Sequence, residues 1–255
     1  MARFIKIKRR ENRFILFWKE ELPAVMITAH KQLLYAFVIF VVAGIIGAVS
    51  VAYDDTFVRL ILSDGYVNMT LENIKKGNPT EVYSSSGEMD MFFMITLNNI
   101  MVSIRVFVLG VMASLGTGLM LFYNAVMVGT FMMFFYQESQ LSQALPVIML
   151  HGTIELTSIV IAAAAGFIMG NSILFPGTYS RLASFKMGAI KGLKIVMGLV
   201  PFFYSRWLYR IIYNPLCIYA LEYQGCHHWA LRISYDLLFY HLSNSVKTQW
   251  KNLNL

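Results

Sequence analysis

Charge is scarce in this chain. Only 14% of its 255 residues are Asp, Glu, Lys or Arg, against about a quarter in an ordinary soluble domain. Cysteine is scarcer still. Cys217 and Cys226 are the two present, which gives no disulfide framework and no zinc-binding spacing. No GxxxxGKS/T loop, nucleophile elbow or Rossmann glycine fingerprint occurs, so the motifs of ATP hydrolysis and dinucleotide chemistry are missing. A cleavable leader is also not expected. The first apolar stretch opens near residue 33 without a small-residue cleavage site and reads as a retained anchor.

What the chain has is apolar sequence, 57% of it, gathered into runs. Runs of roughly 20 apolar residues are what a bilayer requires of a helix. Spans are expected at about 33–53, 91–113, 119–136, 145–170 and 187–204. The fold class expected is all-α, a polytopic transmembrane helical bundle with an amphipathic N-terminal interfacial helix. The net charge of +7 raises the question of nucleic acid. The cations flank apolar runs instead of forming one solvated surface, so no nucleic-acid partner is expected.

Three regions follow. Residues 1–32 carry eight Lys and Arg, with Phe14, Phe17, Trp18, Leu22, Val25 and Met26 at helical spacing. They read as a cytoplasmic basic amphipathic helix lying on anionic headgroups; a partner-binding helix is the other reading. Residues 33–204 form the membrane domain of about five spans. It contains a polar segment, 54–90, in which Phe57 to Leu62 and Val67 to Ile74 look like short helices of an external cap. The very short connection near Gly116 and Gly118 makes its two spans antiparallel neighbours. Counting Lys and Arg near the span ends puts the N-terminus and the 171–190 loop inside, and 54–90 and 137–144 outside.

Residues 205–255 break the pattern. Arg206, Arg210, Arg232, His227, His228 and three tryptophans arrive where that topology expects an external segment. Codons compatible with Tyr204 to Arg210, read one nucleotide later, can encode IVAGFIE, the start of another apolar span. The expectation for this tail is a frame-shifted or truncated end. Cys226-His227-His228 fits no zinc spacing, and no metal or cofactor is expected.

Inside the spans the polar residues are few. His151 and Glu155 stand at i and i+4, so one helix face carries both. Asn98, Asn99 and Asn124 are the other members of this intramembrane group. Ionisable groups at bilayer depth cost a few kcal/mol or more and turn inward to partners. Two readings stand side by side. In one, these side chains bond across helices and fix their register. In the other they form a proton, ion or polar-substrate site near the midplane. HGTIE lacks the HExxH arrangement of a zinc hydrolase. Helix packing is expected at small residues: Ala43 and Gly47 in the first span, Gly110 and Gly129 in the second and third, and Gly152, Gly166 and Gly170 in the fourth.

These residues in this order resemble the stage II sporulation protein M family. The run His151-Gly152-Thr153-Ile154-Glu155, followed by Ala162 to Gly170, resembles its HGxxE span. Asn98-Asn99 and Tyr123-Asn124 before Gly129 resemble its other recurring polar positions, and Pro201-Phe202-Phe203 the start of its next span, which IVAGFIE would continue. The resemblance covers roughly residues 10–203. It implies a multi-pass protein of the bacterial plasma membrane with a cytoplasmic N-terminus. It also implies a non-enzymatic scaffold or anchor for an envelope complex, which in sporulating bacteria includes peptidoglycan-degrading partners. The partners expected are the lipid bilayer and other membrane or envelope proteins, with self-association left open. The alternative function is a transporter or permease subunit using His151, Glu155 and the asparagines.

Overall fold

The computed structural model describes the backbone of residues 13–77 and 88–217, and the side chains of these except 88–93, 95, 143, 146–154 and 201–217. The described residues are helical, with short links. The chain divides into two units, residues 29–205 and residues 1–28 with 206–255.

In the unit holding the N-terminus, α1 (Arg13–Leu16) leads through a π-helical turn, Phe17–Glu21, into α2 (Leu22–Thr28). Pro23 has no N–H to give a carbonyl one turn back. The preceding turn widens, and the Leu22 N–H reaches back to the Phe17 carbonyl, a π-bulge of the kind that relieves such a break. Trp18 meets Phe17 edge-on at 5.4 Å. None of these residues is buried.

In the bundle unit, α3 (His30–Tyr53) is a 24-residue helix, about 36 Å long at 1.5 Å per residue. Its buried residues are small: Ala36, Ala43 and Gly47, with Val51. Its exposed ones are large: Leu34, Phe37, Val38, Val41, Ile45 and Val49. Water would demand the opposite distribution. A helix that buries glycine and alanine and exposes leucine and phenylalanine is suited to lipid, where close backbone approach replaces hydrophobic burial as the packing force. Three helices are long and apolar enough to cross a membrane among the described residues: His30–Tyr53, Leu115–Gln137 and Glu155–Leu174. Thr96–Val111 is apolar and shorter.

Two short helices follow α3. α4 (Asp55–Leu62) and α5 (Asp64–Lys75) occupy much of the segment read as a cap. Asp54 caps α4: its carboxylate accepts from the Thr56 backbone N–H at 2.8 Å and from the Thr56 hydroxyl at 2.6 Å. Those donors hold the Asp54 carboxyl below its ordinary value, because they favour the charged form. The sign follows. A folded pKa below the unfolded one contributes stability above about pH 3.8, lost as pH falls through the folded value. Protection of the Thr56 amide, its exchange rate measured against the unprotected rate at the same pH, is expected to fall selectively on acidification below about pH 3.8, and Asp54→Ala to abolish that pH dependence. Val58 and Val67 turn inward to meet Val51, Phe134, Phe135 and Ala144, and Arg59 pairs with Asp64 at 2.9 Å on the surface.

The remaining helices are α6 (Glu88–Val108), α7 (Leu115–Gln137), α8 (Leu141–Leu174) and α9 (Arg181–Cys217). Contacts between α3 and α7 rise together: Ala36 clusters with Leu121, Ala43 with Ala125, and the Val51 carbonyl accepts from Gln137. The two run parallel. α8 lies against α3, α6 and α7, and Ala162 to Phe167 are all buried. α9 returns antiparallel along α8, with Gly188 against Ser172, Gly192 against the Ala165 carbonyl and Leu199 beside Ala162. One end of the bundle therefore gathers the start of α3, the α6–α7 turn and the α8–α9 loop. The other gathers α4, α5 and the α7–α8 link.

Candidate functional site

The α6–α8 seam carries the most consequential polar contact. The Asn99 Nδ2 group donates to Glu155 Oε2 at 2.6 Å, and Glu155 is 4% exposed. Sequence spacing explains why Asn99 turns inward. Thr96, Asn99 and Ser103 are spaced by three and four, so they share one face of α6, and Thr96 and Ser103 are buried. Asn98 falls instead on the stripe of Met94 and Met101 and is exposed. On α8 the facing residues are Glu155, Ser158 and Ala162, all buried. The offset of 56 between Asn99 and Glu155 recurs between Gly110, in the 3-10 turn Leu109–Val111 that continues α6, and Gly166, and these two meet backbone to backbone. Equal offsets at two points mean that α6 and α8 run parallel in fixed register over those turns.

Asn124 is buried but serves its own helix. Its Nδ2 donates to the Met120 carbonyl at 2.7 Å. His151 and Gly152 lie on α8, and their side-chain positions lie outside the described residues. Of the expected polar group, the structure thus brings Asn99 and Glu155 together, gives Asn124 a partner in its own helix and places Asn98 on an outer face. Among the described residues no group of three or more His, Cys, Asp or Glu could hold a metal.

The glycines mark the closest approaches. A Cβ on Gly129 would collide with the Gly44 carbonyl, one on Gly47 with the Val126 carbonyl, and one on Gly166 with the Thr117 side chain. Gly170 receives the backbone of Ser114. Ala113 and Ser114 both have positive φ, 51° and 69°, a region that non-glycine residues rarely adopt. The α6–α7 turn is tight because it must fit onto that glycine.

Sequence reasoning missed three contributors. The Thr117 hydroxyl donates to the Val106 carbonyl at 2.7 Å, tying α7 to α6. Thr96 and Ser103 extend the polar face around Asn99, and their three-and-four spacing with it was the available signal. Thr117→Val, which keeps the shape and removes the donor, is expected to cost about 0.6–1.7 kcal/mol. Thermal unfolding in detergent measures it, and an unchanged midpoint would show that the bond contributes nothing net.

Residues 36–205 match Stage II sporulation protein M. No curated protein and no solved structure matches the chain. The matched region contains Asn99, Glu155 and the glycine contacts described above, and it covers most of the chain. With its described residues all-α and three membrane-length apolar helices among them, and with this match, the chain is an integral membrane protein, non-catalytic as its family is, and it belongs to the Stage II sporulation protein M family.

Proposed function

We propose that this protein is a rigid membrane anchor that holds an envelope protein complex at the bacterial plasma membrane. The observation that carries the reading is the mode of packing. α3 meets α7, and the 3-10 turn that ends α6 meets α8, at backbone contact through Gly47, Gly129, Gly110 and Gly166, and Asn99 and Glu155 tie α6 itself to α8. Helices seated this closely do not slide past one another without breaking several contacts at once. Such a bundle suits a fixed platform. The proposal includes five spans, a cytoplasmic N-terminus, residues 1–32 on the inner leaflet, segment 54–90 outside, and a frame-shifted or truncated end at 205–255. Sequencing the source DNA through codon 204 tests the last of these.

The test of anchoring is cross-linking in the native membrane, with probes placed on α4 and α5. Capture of defined envelope proteins is the expected result. A protein present at normal membrane abundance that captures none would end the reading. One observation favours the second reading, a transporter or permease subunit: Thr96 and Ser103 are buried on the face of Asn99, and their hydroxyls have no hydrogen-bond partner among the described residues. Glu155→Gln and His151→Asn separate the two. Lost abundance assigns the group to structure, whereas normal abundance with altered solute or proton flux assigns it to transport.

A further inference from the structure

The bundle unit sorts its charges by end. Lys31, Arg105, Arg181, Lys186, Lys191 and Lys194 all lie toward the end formed by the start of α3, the α6–α7 turn and the α8–α9 loop. Within the bundle unit, the described residues of the start of α3, the α6–α7 turn, the α8–α9 loop and the start of α9 include no Asp or Glu. Arg59, Lys75 and Lys76 lie toward the other end, among Asp54, Asp55, Asp64, Glu72 and Glu138. Glu155 is interior, bonded to Asn99.

The depth and surroundings of two of these cations identify their partner. Arg105 is exposed on α6 in one stripe with Met101 and Val108, both exposed. It lies in the last turn of α6, three residues before Val108, about 4.5 Å from the helix end. Lys186 is exposed on α9 within the stripe of Leu182, Ile190 and Leu193, all exposed. Each cation therefore sits in an apolar strip that faces lipid. A soluble protein or a nucleic acid does not reach that surface. A lipid phosphate does, because a long basic side chain lays its stem along the apolar strip and lifts its head to the headgroup layer. At the same end, Met112, Leu115, Phe175 and Tyr179 project outward, with Phe175 76% and Leu115 73% exposed. Aromatic and apolar tips beside cations suit the boundary between headgroups and acyl chains.

We infer that this end of the bundle is a binding surface for acidic phospholipids, with Arg105 and Lys186 as two of its phosphate contacts. A zwitterionic headgroup carries its own cation and gains little from such a belt, whereas an anionic one is attracted. The inference rests on the bundle lying in a bilayer and stands whether or not the chain anchors a complex.

The test uses the full-length protein in mild detergent. Retention of added phosphatidylglycerol and phosphatidylcholine is compared by native mass spectrometry. The wild type is expected to retain phosphatidylglycerol preferentially, and Arg105→Gln and Lys186→Gln each to weaken that retention about fivefold. Arg105→Lys keeps the charge and is expected to retain the preference, and Lys75→Gln/Lys76→Gln at the other end to leave it unchanged. Equal retention of both lipids by the wild type would overturn the inference. So would a preference that survives Arg105→Gln/Lys186→Gln, or one that is lost only when cations of residues 1–32 are neutralised. If Arg105→Gln/Lys186→Gln failed to fold, loss of wild-type preference in raised salt would still be required, and its absence would count equally against the surface. Release of a co-purified acidic protein with lipid preference intact would reassign the cations to a protein partner.

Discussion

Gly129→Leu is expected to remove the folded protein from the membrane. Gly129 sits on α7 where α3 comes closest, and a Cβ there would occupy the place of the Gly44 carbonyl. That obstacle is helix backbone, so it cannot rotate aside as a side-chain end would. The two helices would have to part, and the parting would also open Gly47 against Val126 and Ala43 against Ala125. Overpacking a well-filled core commonly costs about 1–3 kcal/mol, and the backbone contact puts this case at about 3 kcal/mol or more. Lipid supplies no hydrophobic pressure to drive the helices back together. Two substitutions serve as controls. A Cβ on Gly44 would meet the Ala125 carbonyl at an ordinary 3.6 Å, so Gly44→Ala is expected to be nearly neutral. Gly65, in α5, has nothing within 4 Å of its Cβ position. Gly65→Ala should therefore stabilise that helix by about 0.5–1 kcal/mol through lost chain entropy. Membrane abundance and detergent melting temperature rank the three. Normal abundance and melting for Gly129→Leu would show that α3 and α7 are not packed as described.

The contrast between glycines shows what the sequence could convey. Four-residue spacing of small residues marked Ala43 with Gly47 and Gly166 with Gly170, because close helix approach requires that pattern. It did not say which helix each would meet. The short helices α4 and α5 were legible as Phe57 to Leu62 and Val67 to Ile74, since their apolar residues recur at helical spacing. The connection between α6 and α7 was legible as short but not in its details. Gly116 and Gly118 resemble turn residues, yet the turn falls on Met112 to Ser114 and α7 begins at Leu115. Gly116 is needed because Leu109 presses on it, and the left-handed residues are Ala113 and Ser114. A tertiary constraint, the seat on Gly170, overrides the local preference for glycine at positive φ. Asn98 and Asn99 differ for a simpler reason. Neighbours on a helix point about 100° apart, so two adjacent asparagines do not both face the seam. The spacing to Thr96 and Ser103 selects Asn99. Asn124 bonds to its own helix.

The same selection sets the second large effect. Asn99→Leu is expected to destabilise the bundle by about 1–3 kcal/mol, the cost of removing one partner of a buried hydrogen bond. Leucine has as many side-chain heavy atoms as asparagine but fills more space, so part of the loss would be steric and the comparison with Glu155→Gln and the double variant isolates the hydrogen bond. Glu155 would keep its place in the seam, 4% exposed, while the 2.6 Å donor disappears. Asn99→Asp should be worse, because it sets two carboxyl groups side by side at bilayer depth. The reciprocal change separates this from ordinary damage. Glu155→Gln retains an oxygen that can accept from the Asn99 amide, so it should cost less than Asn99→Leu. Asn99→Leu combined with Glu155→Leu should be more stable than the sum of the single losses, because the double change removes both partners of their mutual hydrogen bond together. A double-mutant cycle on thermal unfolding in detergent reads that coupling directly. Strict additivity would mean that Asn99 and Glu155 do not act on each other. The register shared by Gly110 and Gly166 would then rest on the shape of the packed backbones, and the Asn99–Glu155 hydrogen bond would contribute nothing of its own to the seam.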